Sequence, residues 1–224
     1  MVVPRWALVV EALAVPEDSS TRPGPSADRE GVVRYRTIVA DPPWPHDRTG
    51  FNFSTPNPGV GDPRKKRVPY PTMAVSEIAN IDVHGLASAN AHLYLWTTQR
   101  YLRAAHDVVE RWGFSPIKIL VWCKPPSGFS MGSAFGNSCE FVVFSKRGKP
   151  DTNMRIPRDW WEWSRSGGHS AKPEAFLDIV EQVSPGPYLE LFARRNRLGW
   201  DTWGNESLQH IDIDASHGGS NAEL

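Results

Sequence analysis

The chain reads as an α/β protein built on a largely parallel sheet. Continuous apolar, β-branched runs recur along it, as strands buried on both faces require. Segments with apolar residues every three or four positions lie between those runs, which is the pattern of helices packed on a sheet. Size and composition suit one ordinary core: 224 residues, 40% apolar and 22% charged.

Residues 1–31 form an arm and a linker. The first fifteen imitate a secretion signal, but Glu11 interrupts the apolar stretch. Residues 16–31 (PEDSSTRPGPSADREG) are polar and rich in Pro and Ser, so they read as a flexible connection. The main domain spans 32–208, and 209–224 is a frayed tail. Within the domain, 32–40 (VVRYRTIVA) ends in a buried strand. Residues 92–97 (HLYLWT), 117–124 (IKILVWCK) and 139–146 (CEFVVFSK) follow in the same style. A helix is predicted over 99–112, where Leu102, Ala105, Val108, Val109 and Trp112 share a face and Gly113 supplies the stop. A second helix spans 173–184, with Pro173 suited to its first position and Phe176, Leu177, Val180 and Val183 on one face. The strand 188–193 (YLELFA) closes the series.

Charge and cysteine usage narrow the class of protein. Lys plus Arg equals Asp plus Glu at 25 each, so no global basic field marks a nucleic-acid binder. The average conceals a basic rim, however. Residues 45–70 carry five Lys/Arg against two Asp, and residues 144–172 carry seven against three acids. The 18 glycines and 20 prolines are about 17% of the chain, against about 12% on average, which predicts long loops. Cys123 and Cys139 lie in strands and outside any Cys-x-x-Cys or Cys/His cluster. Zinc and a disulfide framework are therefore not expected, and a reduced, cytoplasmic setting is. No stretch is apolar enough to span a membrane. Ten tryptophans are an excess, and Trp160, Trp161 and Trp163 are either a stacking surface or a plug on the core.

Ligands of such sheets bind at the carboxyl ends of the strands. Asp41-Pro42-Pro43-Trp44 follows the first buried strand directly. A carboxylate, two rigid residues and a flat ring make a receptor for an aminated heterocycle. Asp41 can accept one amine hydrogen and the Pro42 carbonyl the other, while neither proline offers a competing N–H. Trp44 is expected to stack on the ring, worth about 1–3 kcal/mol per base.

This pattern resembles the catalytic motif of nucleic-acid amino-methyltransferases, and the Asp-Pro-Pro-Trp form is similar to the MT-A70 family of N6-adenine methyltransferases. Further blocks follow in family order: Tyr70-Pro71-Thr72-Met73, the strand 92–97, Glu140 to Gly148, Lys172-Pro173, Glu190-Leu191-Phe192-Ala193-Arg194, and Trp203-Gly204-Asn205. Three departures are the stretch Met131–Asn137, which lacks the Arg-Asn pair many relatives carry before the acidic strand, Arg195, where relatives often carry Pro or His, and Glu206, where a glutamine stands in the catalytic subunit of the eukaryotic messenger-RNA methyltransferase. The resemblance implies a Rossmann-like methyltransferase sheet with helices on both faces and a permuted, β-class motif order, the catalytic motif first. It implies S-adenosylmethionine held by Lys172, Arg194, Asn196, Asn205 and Glu206. Tyr70 and the run Arg64, Lys65, Lys66, Arg67 become candidate nucleic-acid contacts. DNA is the expected substrate, with RNA N6-adenine or DNA N4-cytosine methylation, or an inactive nucleic-acid-binding partner subunit, as the alternatives. No metal is required.

Overall fold

A computed structural model describes residues 34–45, 72–125, 135, 136, 138–164 and 171–204. The arm, the linker, the tail, Tyr70, the Arg64–67 run, Asn205 and Glu206 all lie outside these described residues.

Seven strands form one sheet in the order β5-β3-β4-β2-β1-β6-β7. They are β1 (Tyr35–Ala40), β2 (Ala87–Thr97), β3 (Ser115–Cys123), β4 (Cys139–Arg147), β5 (Trp160–Glu162), β6 (Tyr188–Leu191) and β7 (Trp200–Trp203). The pairs β1–β2, β1–β6, β6–β7 and β3–β5 are parallel. Strand β4 runs antiparallel to both of its neighbours, a reversal that sequence does not signal. An apolar run carries no direction, and β3 and β4 can be joined as a hairpin without a crossover helix.

Helices cover both faces of the sheet. Helices α1 (Val75–Ala79), α2 (Val83–Leu86) and α3 (Leu102–Arg111) pack on one face, and α4 (Glu174–Val183) on the other. Alternation along the strands divides the core accordingly. Ile38, Leu93, Leu95, Leu189 and Leu191 join Ile78, Val108 and Trp112 on the first face. Val39, Tyr94, Trp96 and Trp122 join Phe176, Leu177 and Val180 on the second. The predicted helix 99–112 begins as a 3-10 turn at Gln99–Tyr101 before becoming α3. Pro173 is the N-cap of α4 and not its first helical residue, with ψ of 132°.

Strand β1 lies inside the sheet, and the chain leaves it for β2 on one side while β6 lies on the other. The crevice beyond the carboxyl ends of β1 and β6 is thus the point where the strand order reverses. Open α/β sheets bind their ligands at such points.

Candidate active site

The chain turns sharply where β1 ends. Trp44 N–H donates to the Pro42 carbonyl at 2.8 Å, closing a three-residue turn around Pro43. The Pro43 carbonyl accepts from Met73 N–H at 2.9 Å. Asp41 is held at the mouth of the crevice by this turn and by its own N–H, which donates to the Leu191 carbonyl of β6 at 3.4 Å.

Trp44 departs from expectation. Only 8% exposed, it belongs to the core cluster on the α3 face. Its Nε1 donates to the Trp96 carbonyl at 2.9 Å, and its ring stacks on Tyr101 with centroids 5.4 Å apart and planes 11° apart. A buried indole needs a partner for its N–H, and this one is satisfied by β2. The indole is therefore an anchor for the turn and not an open platform for a base.

Asp41 meets residues from the far end of the sequence. Lys172, which immediately precedes the α4 N-cap, places Nζ 2.7 Å from Asp41 Oδ2. The same ammonium lies 3.4 Å from Glu140 Oε2, and Glu140 Oε1 binds Lys124 Nζ at 2.7 Å. Arg194 Nη2 is 4.0 Å from Asp41 Oδ2. Both lysines pack over indoles, Lys172 over Trp96 at 5.4 Å and Lys124 over Trp122 at 5.1 Å. Burial pushes Glu140 up, but Lys172 and Lys124 outweigh it and hold the carboxyl below its usual range. Burial likewise works against the Lys172 ammonium, and Asp41 and Glu140 reverse that, raising its pKa above the ordinary lysine value.

The approach of Arg194 depends on a tight bend after β6. Phe192 has φ of 63°, a left-handed conformation rare for a bulky residue. Ala193 N–H donates to the Trp203 carbonyl of β7 at 3.0 Å. A Cβ on Gly204 would lie 2.6 Å from Ala193 N, so only glycine lets β7 run this close to the bend. Asn196 is placed beyond the bend, its Oδ1 accepting from Thr202 Oγ1 at 3.5 Å.

Sequence reasoning gave no role to Glu190. On β6 it pairs with Val39 of β1 and Thr202 of β7, so its side chain shares the α4 face of the sheet. Its Oε2 is buried and has no hydrogen-bond partner among the described residues. Burial pushes this carboxyl up to about 7; Arg195 opposes the shift and Asp41 reinforces it. The available signal was an ionisable residue within an otherwise apolar strand, and the same signal marks Glu140.

The tryptophan-rich segment divides between its two readings. Trp161 and Trp163 stack on each other at 5.7 Å and 8° and pack against the α4-side core, where Trp122 Nε1 donates to the Trp163 carbonyl at 3.0 Å. Trp160 is 54% exposed. Among the described residues, no group of His, Cys, Asp and Glu is arranged to hold a metal, and no helix is long and apolar enough to cross a membrane.

The mixed seven-stranded sheet with helices on both faces and the acid-Pro-Pro-aromatic turn at the crevice define an α/β methyltransferase-like protein. The MT-A70 family model matches residues 35–206, and the chain belongs to that family. It is 32% identical over 187 residues to the type II methyltransferase M.MunI of Mycoplasma sp, covering 77% of this chain and 78% of that protein. It is 26% identical over 182 residues to a putative N(6)-adenosine-methyltransferase MT-A70-like protein of Medicago truncatula, covering 77% of this chain but 26% of the relative. The human N(6)-adenine-specific methyltransferase METTL4 is 27% identical over 205 residues, 81% of this chain and 40% of the relative.

Proposed function

We propose that this protein transfers a methyl group from S-adenosylmethionine to the exocyclic N6 amine of adenine in DNA. The observation that carries the reading is the Asp41 carboxylate, fixed at the end of β1 and paired with Lys172 across the crevice. A carboxylate has about four acceptor positions and a carbonyl two. Asp41 can therefore hold Lys172 and still take one amine hydrogen, and the Pro42 carbonyl can take the other beside its bond to Trp44 N–H. Gripping both hydrogens bends the amine out of conjugation and aims its lone pair. An adenine amine is a poor nucleophile because that pair is delocalised, so positioning supplies much of the rate.

The donor set fits the cofactor's chemistry. Lys172 and Arg194 offer cations to a carboxylate, and the Oε2 of Glu190, which has no hydrogen-bond partner among the described residues, offers an acceptor to an ammonium or a ribose hydroxyl. When bound, S-adenosylmethionine supplies an electrophilic methyl group, so the chain itself needs no covalent intermediate. Asn196 and, outside the described residues, Asn205 and Glu206 complete the proposed cofactor contacts. Tyr70 and Arg64, Lys65, Lys66 and Arg67 are proposed to meet the nucleic acid. A base within a duplex would have to be flipped out to reach Asp41.

Coverage favours DNA over RNA: the type II methyltransferase is matched over most of its length, the plant adenosine methyltransferase over about a quarter. The test is to incubate the protein with labelled S-adenosylmethionine and DNA or RNA, single or double stranded, then digest to nucleosides. Label in N6-methyldeoxyadenosine is expected. Label confined to N6-methyladenosine from RNA, or to N4-methyldeoxycytidine, overturns the assignment.

A further inference from the structure

Two thiols stand next to this site without belonging to it. Cys123 ends β3 and Cys139 begins β4, and the two are direct partners in the antiparallel ladder. Lys124 N–H donates to the Ser138 carbonyl at 2.7 Å, which makes 124 and 138 a hydrogen-bonded pair and its neighbour 123/139 a non-hydrogen-bonded one. Residues opposed in that way have Cα atoms about 4.5 Å apart. A disulfide spans Cα separations of about 4.4–6.8 Å, so the bond needs little backbone movement. Both cysteines are free thiols and both are half-buried, within reach of a small oxidant. The residue after each belongs to the ion network: Lys124 follows Cys123, Glu140 follows Cys139, and their pair adjoins Lys172 and Asp41.

We propose that Cys123 and Cys139 close into a reversible cross-strand disulfide that slows methyl transfer by locking the strand ends that carry Lys124 and Glu140, the pair beside Lys172. The effect on transfer rests on the function proposed above; the formation of the bond does not. The oxidant is a low-molecular-weight disulfide. The Cys139 sulfur attacks it and forms a mixed disulfide, releasing one small thiol. Cys123 then attacks the Cys139 sulfur and expels the second. The two thiol protons leave on the two released thiols, the protein pair loses two electrons, and the small disulfide gains them. Burial and the adjacent Cys139 push the Cys123 thiol up, which disfavours it as the first nucleophile.

The full chain is to be incubated with oxidised glutathione, and its mass, bridged peptides and transfer rate measured before and after dithiothreitol. The expected result is a loss of two hydrogen masses, a peptide joining Cys123 to Cys139, and a several-fold fall in rate that dithiothreitol restores. Cys139→Ser and Cys123→Ser should keep their rates under the same treatment. Two open thiols, a lasting glutathione adduct, or a closed disulfide with an unchanged rate would each overturn the proposal. If the reduced protein transfers no methyl group to any nucleic acid, the proposed reaction fails. The bridged peptide then decides whether the bond forms.

Discussion

Glu140 and Glu190 are both partly buried carboxyls, and they titrate in opposite directions because of what touches them. Glu140 receives two lysines, and their charges exceed the cost of burial. Glu190 has a buried oxygen that no described residue satisfies, so burial prevails and its pKa rises to about 7. The sign of the consequence follows from proton binding. Between the ordinary value of 4.5 and about 7, native Glu190 keeps a proton that the unfolded chain has released. Its stabilising contribution is thus complete below 4.5 and is lost as pH rises through 7, at no more than about 1.4 kcal/mol per pH unit. His92 has the opposite sign. Burial, with Arg36 and Lys146, pushes it down to about 4, so its contribution is present above 6.5 and lost on acidification. Replacing only Glu190 separates the two. Urea unfolding across roughly pH 5 to 8 should show Glu190→Gln gaining on the wild type as pH rises, and a constant gap would contradict the burial argument.

At the scale of elements, the turn after β1 is fastened to the α3 side of the sheet through Trp44. Its ring stacks on Tyr101, and the Tyr101 hydroxyl donates to the Pro45 carbonyl at 2.6 Å. Trp44→Ala should therefore cost stability, by about 3–5 kcal/mol, as for other buried aromatic residues. Chemical denaturation checks this. An unchanged midpoint with weakened nucleic-acid binding would restore the indole to the role of base platform. The sequence showed an aromatic residue at a strand end but not that Tyr101 lies against it, which only the packing of α3 reveals. Strands β1 and β4 and helices α3 and α4 were legible because each is long enough to display its pattern, and four-residue β6 because its apolar run continues through Phe192 and Ala193. Helices α1 and α2 span five and four residues, and strands β5 and β7 three and four, too few to establish one. Strand β2 begins five residues before its apolar run, at buried Ala87, because the more exposed Ser88, Ala89 and Asn90 separate that residue from the run.

Across the whole molecule, the site is assembled from opposite ends of the chain. Asp41 comes from the first strand, and Lys172, Glu190 and Arg194 from the last third. Neither composition nor periodicity joins those segments; the ordered motifs implied it, and the adjacency of β1 and β6 accomplishes it. The neutral total charge is uninformative for the same reason, since it averages the basic segments 45–70 and 144–172 with an acidic remainder. In the proposed reaction Asp41 is the acceptor that aims the amine, while Lys172 and Arg194 remain to bind the cofactor. The most direct measurement compares Asp41→Ala with the wild type for single-turnover methyl transfer and, by calorimetry, for S-adenosylmethionine affinity. Transfer should be abolished while affinity stays within a few-fold of the wild-type value. A variant that turns over at nearly the wild-type rate would contradict the account.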